Sequence, residues 1–310
     1  MTRAQAPGKV ILAGEHAVVY GRPAIAVPVW EAVATAEVRN GAAGAGCVIY
    51  ALDLGKTIRL ADAPHDDPLA LVARLALRRA GLADDPDWRI DIASDLPIAG
   101  GLGSGAAVSA VLVRAILLHA GMEPAPELVS ELTYAGEEVH HGTPSGIDNT
   151  VVAYGQPVWF VRGEPPAIFA CAAPFRIAIA DSGATGPTRA MVDQVRARRA
   201  ADPARYDRWF DEIGEIVQAA RQALEAGQPV ELGPLFDRNQ ALLAQIGVST
   251  PALERLMAAA RAAGAGGAKL SGAGGGGNII ALVEDEAVEP VRAALLAAGA
   301  KRVLVTTVAA

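Results

Sequence analysis

The sequence predicts an α+β chain of two domains. Three observations carry that expectation: strand-like runs crowd the first third, helical periodicity fills the middle, and the last quarter alternates again. In the first third, "KVILA", "PAIAVPV", "AVATAEVR", "CVIYAL" and "WRIDIAS" are short strand-like runs parted by Gly, Pro and Asp turns. "PLALVARLALRRAG", the run after Ser104 and "ELVSELTYAGEEVHHG" then read as helices. Three consecutive segments between Thr188 and Gly264 keep the same period, several closing on Gly. Finally "GAKLSGAGGGGNIIALV" reads as loop then strand, "EAVEPVRAALLAAG" as helix and "RVLVTTV" as a closing strand. Strands cluster here instead of alternating strictly with helices, which favours α+β over a run of βαβ units. The turn-rich "RGEPPAIFACAAP", residues 162–174, precedes the strand-like "RIAIADSG" and places the boundary between an N-terminal domain, 1–170, and a C-terminal domain, 171–310.

At 310 residues, 52% of them hydrophobic, the chain can bury two cores, at roughly 150 residues per domain. The net charge of −7 is spread along the sequence without a basic block, so neither a nucleic acid nor an anionic membrane finds electrostatic support as a partner. Any anionic ligand must be held locally. The opening "MTRAQAPGKVILAGEH" has too short an apolar run for a signal peptide, and longer apolar stretches are interrupted by Glu31, Arg114 or prolines. A cytoplasmic protein is expected. Cys47 and Cys171 stand alone, without disulfide or zinc spacing, and are expected as buried free thiols.

Two glycine clusters stand out. "IAGGLGSGAA" runs straight into an apolar helix but carries no lysine, which excludes a Walker A loop. Gly101, Gly103 and Ala106 match G-x-G-x-x-A, yet Ala120 and Gly121 stand about 20 residues on, Glu123 is the nearest acid and the chain beyond reads as helix, so a dinucleotide fingerprint is weak. What remains is shared by both motifs: glycines let the backbone approach a ligand, and the N–H groups of the helix after Ser104 present positive potential to a phosphate. A tight turn packing a helix on a sheet would use the same residues. The second cluster, "KLSGAGGGGNII" at 269–280, spends more glycine than a structural turn requires, which points to close backbone approach to a ligand. Between the clusters, Glu137 near a helix end and Asp148 after a Pro-Ser-Gly turn suggest a metal ligand and a base, although carboxylates in such places are ordinarily solvated. Lys9 opens an apolar strand.

Taken in order, "APGKVILAGEHAVVYG", "DLPIAGGLGSGAA" and "KLSGAGGGG" resemble the three motifs of the GHMP kinases and span the chain from end to end. The wording of "GEHAVVYG" and "HGTPSGIDN" is most similar to the members that phosphorylate mevalonate. The resemblance implies an N-terminal domain like domain 2 of ribosomal protein S5, a ferredoxin-like C-terminal domain, ATP as co-substrate and Mg²⁺ as cofactor. It implies Asp148 as catalytic base with Lys9 beside it, Glu137 and Ser104 on the metal, and Ser94, Ala99, Gly100, Gly101, Leu102, Gly103, Ser104 and Gly105 around the nucleotide. On the substrate side it implies Glu15, His16, Ser145, Thr188 and Arg189, with Gly272, Gly274 and Gly275 in the second loop. Mevalonate is the implied alcohol. Phosphomevalonate, the 3-hydroxyl of mevalonate and a catalytically silent binding protein are the alternatives, and a homodimer is compatible with all of them. One residue departs from the pattern: where the family's loop carries a second serine that reaches Mg²⁺, this chain has Gly105. His140 and His141, adjacent on a helix and so about 100° apart, are expected to pack or cap instead of binding metal.

Overall fold

The computed structural model describes residues 1–97, 100–141, 145–184 and 188–309, and the side chains of residues 140 and 141 lie outside that description. The elements run β1 (Thr2–Ala13), β2 (Ala24–Asn40), β3 (Val48–Ala51), β4 (Lys56–Arg59), α1 (Pro68–Arg79), β5 (Trp88–Ser94), α2 (Ser104–His119), α3 (Pro126–His141) and α4 (Ile147–Tyr154). They continue with β6 (Val158–Phe160), β7 (Ala167–Ile168), β8 (Phe175–Asp181), α5 (Thr188–Ala201), α6 (Pro203–Glu225), α7 (Leu232–Ile246), α8 (Pro251–Ala262), β9 (Gly267–Ser271), β10 (Asn278–Val283), α9 (Val288–Ala297) and β11 (Arg302–Val308).

The chain divides into two units, and neither follows the sequence in one piece. One comprises Met1–Lys9, Ala32–Ile98 and Leu102–Gly155; the other comprises Val10–Glu31, Ala99–Gly101 and Gln156–Ala310. Strands β1 and β2 therefore contribute to both. Two runs expected as separate strands, "PAIAVPV" and "AVATAEVR", form the single long β2. Its first residues are buried on both faces. From Ala32 onward buried Ala32, Ala34, Ala36 and Val38 alternate with more exposed residues, the period of a sheet with one covered face.

In the first unit β2 pairs antiparallel with β5, β5 parallel with β3, and β3 antiparallel with β4. Helix α1 starts where the sequence provides a stop for the preceding loop. Asp67 Oδ1 accepts from Leu69 N and Ala70 N, each at 3.0 Å, and Pro68 has no N–H to leave unsatisfied. Helix α2 is apolar nearly all round because it is surrounded: it packs against α1, α3 and α4.

The second unit holds a four-stranded antiparallel sheet in the order β11-β8-β10-β9. Helices α5–α8 link β8 to β9, a glycine loop links β9 to β10, and α9 links β10 to β11, the β-α-β-β-α-β pattern of a ferredoxin-like fold. Helices α6 and α8 are capped by Asp202 and Thr250, each followed by proline. The stretch expected as three helical segments is four, because Asp202-Pro203 ends α5 and starts α6 at once. "GAKLS", expected as loop, is strand β9, buried along its whole length, with Lys269 opposite Ile280 of β10. Cys47 and Cys171 are buried free thiols, as expected, and burial raises both, to about 12 and about 11. Among the described residues no helix is long and apolar enough to cross a membrane.

Candidate active site

Two charged clusters emerge, one in each unit. In the first unit Lys9, on β1, places Nζ 3.0 Å from Asp148 Oδ1. The lysine side chain is only 7% exposed while that of Asp148 is 34% exposed, so the pair shows its carboxylate to solvent and keeps its ammonium behind. Asp148 lies in the first turn of α4, after Gly146 at φ +90°, and Ser145 Oγ accepts from Ile147 N at the start of that helix. The loop before α2 closes on the same pair. Lys9 N donates to Leu102 O at 2.9 Å, and a Cβ added at Gly103, whose φ is +71°, would stand 3.0 Å from Lys9 Cγ and 3.7 Å from Asp148 Oδ2. Glycine at 103 is thus required twice, by its backbone conformation and by the side chains it lies against.

Glu137, on α3, is buried, and its carboxyl is pushed up to about 7, first by burial and then by the charge of Asp148, with Lys9 pulling the other way. It faces the first turn of α2: a Cβ at Gly105 would stand 3.3 Å from Glu137 Oε1. Gly105 is free of positive φ, so its backbone does not demand glycine. Ser104, half-buried, opens the helix. Lys9, Asp148, Glu137, Gly103 and the Ser104–Gly105 turn therefore gather at the N-terminus of a 16-residue helix, where backbone N–H groups lack intrahelical acceptors. Among the described residues no three His, Cys, Asp or Glu side chains form a ready-made metal cage. Mg²⁺ needs less, since it retains several waters and takes one or two carboxylates. A buried carboxyl held up to about 7 is one that a cation would relieve, so the donors present fit that ion.

The other nucleotide candidates are placed as follows. Ser94 ends β5, its N–H donating to Asp53 Oδ2 at 2.6 Å and its Oγ accepting from Leu96 N at 3.2 Å. Ala99 lies outside the described residues. In the second unit the carbonyl of Gly100 accepts from Asn278 Nδ2, and Gly101 turns at φ +74°.

The second unit's cluster centres on Glu15, expected on the substrate side. It is 2% exposed, and both carboxylate oxygens are engaged: Lys269 Nζ donates to Oε1, and Asn239 Nδ2 donates to Oε2 at 3.2 Å. Any substrate would feel Glu15 only through its neighbours. Lys269 is fully buried and donates also to Leu270 O; burial pushes its ammonium down, with Glu15 pulling it back. His16 Nε2 lies 2.9 Å from Ala273 O in the second glycine loop. Burial lowers its imidazole below the usual 6.5, so at neutral pH the ring is uncharged, and facing a carbonyl Nε2 must carry the proton. Nδ1 is then a lone-pair acceptor. Thr188 and Arg189 occupy the exposed first turn of α5.

Lys269 and Asn239 were not singled out from the sequence. The signal was a lysine inside "GAKLS", visible only once that run is read as a buried strand. The glycines after it also have a nearer cause than a ligand. Residues 272 and 274–277 all have positive φ, and added Cβ atoms would come 2.3 Å from Val248 O at Gly274 and 2.3 Å from Ala184 O at Gly276. The loop is held there by Gly275 N to Val248 O at 2.8 Å and Gly277 N to Ala184 O at 2.7 Å. Gly272, by contrast, has no atom within 4 Å of its added Cβ.

Comparison with known proteins follows the same layout. The family model of the GHMP kinases N terminal domain matches residues 69–156 and that of the GHMP kinases C terminal matches residues 220–301. A mevalonate kinase of Thermococcus sibiricus is 33% identical over 96% of this chain and 93% of its own length; one of Pyrococcus horikoshii is 34% identical over 96% and 92%. Among solved structures, L. major mevalonate kinase in complex with R-mevalonate superposes with a TM-score of 0.84 at 28% identity, covering 100% of this chain and 96% of that one.

Proposed function

This chain belongs to the GHMP kinase family, among its mevalonate kinases, and from that premise we propose that the Lys9–Asp148 cluster carries ATP-dependent phosphorylation of mevalonate at its 5-hydroxyl. The observation that carries the assignment is the 3.0 Å Lys9–Asp148 pair, its carboxylate open and its ammonium buried, set against the first turn of α2. Asp148 accepts the proton of the attacking hydroxyl, and the charge of Lys9 favours the alkoxide that forms. Ser94 and the loop from Ala99 to Gly105 receive ATP, the N-terminal amides of α2 supplying positive potential in place of a loop lysine. Glu137 and Ser104 would hold Mg²⁺, which when bound neutralises the charge on the β- and γ-phosphates. Ser145, Thr188 and His16 are assigned to the alcohol and Arg189 to its carboxylate; Gly272, Gly274 and Gly275 shape the second loop. We assign residues 1–170 to the domain that holds the phosphate loop and base and 171–310 to the domain with the second loop, and place the protein in the cytoplasm, where it draws on ATP.

A substrate already carrying a phosphate would need a spare cationic cluster near the first motif. Arg22, the cation there, is engaged: its Nη2 and Nε reach Asp211 Oδ1 at 2.8 and 2.9 Å, and its Nη1 donates to Tyr20 O. That favours the unphosphorylated alcohol. The test incubates the purified protein with ATP, Mg²⁺ and mevalonate and follows phosphorus NMR. A product resonance split by two neighbouring protons marks the primary 5-phosphate; an unsplit one marks the tertiary 3-hydroxyl; no product refutes the assignment.

A further inference from the structure

The segment Gly14-Glu15-His16 is held in a conformation that local forces disfavour. Gly14, at φ +106°, lies so close to the backbone of Ala24 that an added Cβ would stand 2.5 Å from Ala24 Cα. His16 is the lone non-glycine residue with positive φ in the described backbone, at φ +61° and ψ −46°. Ala17 N donates to Glu15 O at 2.7 Å across it, which makes residues 15–17 a γ-turn of the rare, strained hand. Such strain persists only where the surroundings over-determine it. Here two contacts do so from either side of the turn's first peptide: Lys269, on β9, grips the Glu15 side chain, and His16 Nε2 donates to Ala273 O in the loop that follows β9.

We propose that Lys269 is a positioning residue of the kinase reaction. Its buried pair with Glu15 locks the γ-turn, and the locked turn uses His16 Nε2 to fix the 272–277 loop at Ala273 O while aiming Nδ1 of the neutral imidazole as an acceptor. A lysine serving stability alone would not need this arrangement, because a buried ion pair is commonly replaced by apolar residues without loss. Its geometry is more specific: one ammonium ties the Glu15 carboxylate to the Leu270 carbonyl, one residue short of the strand's end and two short of Gly272. The cluster is also closed to solvent, which lets a single contact set the register of the turn.

The role rests on the kinase assignment above, and the test separates the two. Glu15→Gln keeps the shape of the side chain, and Asn239 Oδ1, which is buried without a hydrogen-bond partner, can turn to accept from the new amide, but alone it strands the buried Lys269 ammonium. Lys269→Met alone strands a buried carboxylate and is expected to melt early. The double variant Glu15→Gln with Lys269→Met strands no charge, so it should recover most of the melting temperature lost by Lys269→Met. Its kcat should nevertheless stay at least ~10-fold below that of the unaltered enzyme, with KM for ATP changed less than twofold, and backbone amides of 272–277 should exchange with deuterium ~10-fold faster. A double variant with both melting temperature and kcat of the unaltered protein would overturn the positioning role and leave the pair purely structural. Loss of kcat with 272–277 exchange unchanged would overturn it as well. An unaltered protein with no kinase activity would refute the assignment beneath it, while the exchange measurement would still report whether Lys269 orders the loop.

Discussion

Replacing Glu137 by Gln should make the protein more stable at alkaline pH while lowering its turnover. The folded protein holds the Glu137 carboxyl at about 7 against an ordinary 4.5, because burial and the Asp148 charge both disfavour its ionised form. Between those values the folded chain keeps a proton that the unfolded chain has lost, so stability falls as pH rises from about 4.5 through 7. At about 1.4 kcal/mol for each factor of ten in the protonation constant, the penalty above pH 7 is about 3 kcal/mol. The Glu137→Gln variant, with an amide that does not titrate, would carry no such penalty. At roughly 2 cal/mol/K of unfolding entropy per residue, about 3 kcal/mol corresponds to about 5 °C in this chain. Thermal unfolding with a chelator present, followed from pH 5 to 8.5, should therefore show the variant's melting temperature drawing ahead by about 5 °C as pH rises. A gap that stays constant across that range would refute the environment assigned to Glu137. Mg²⁺ with a nucleotide should narrow the gap at pH 8.5 by adding positive charge beside the carboxylate.

Asp148→Asn keeps the shape of the side chain and removes the base; turnover of the folded variant should fall at least ~10²-fold, and a folded variant with full activity would reassign the proton acceptor. Lys9→Met keeps the buried stem and removes the charge 3.0 Å from Asp148, so kcat should fall far more than ATP affinity; loss of affinity alone would place Lys9 on the phosphates. Gly105→Ser should lower the Mg²⁺ needed for half-maximal activity at saturating ATP, because the new side chain starts 3.3 Å from Glu137 Oε1 and its hydroxyl adds an oxygen donor there. A higher magnesium requirement in the folded variant would show that the turn is built to exclude a side chain.

What was legible in the sequence is what periodicity and punctuation encode. Helix α2 announces itself by an apolar run that only a surrounded helix can carry, whereas the Asp202-Pro203 start of α6 lay inside a stretch of continuous helical period and was passed over. β9 was hidden because its one charged residue is neutralised by Glu15, 254 positions away, and no local pattern signals a partner at that distance. The short α4 was hidden by the glycine before it, although its first turn is what sets Asp148 against Lys9. The second glycine loop was legible as unusual, but one cause of its glycines was not: Val248 O and Ala184 O crowd it at Gly274 and Gly276, and crowding by other carbonyls leaves no mark in a sequence.

The two lysine–carboxylate pairs have the same composition and opposite design. Each joins a lysine on a strand to an acid far away in sequence, and a motif search scores them alike. Exposure separates them. The Asp148 side chain is 34% exposed beside a buried ammonium, whereas Glu15 is 1% and Lys269 0% exposed. A base must meet the hydroxyl it deprotonates, and a carboxylate with an open oxygen can do so at modest desolvation cost. A carboxylate enclosed with its counter-ion cannot take a proton from a substrate without stranding a buried charge, which is among the costliest changes a protein interior can undergo. What such a pair can do is keep its neighbours in place. The acid of the first motif in the second unit therefore acts on the chain itself, through the strained turn at His16, and the acid that acts on substrate is the one whose lysine stands behind it.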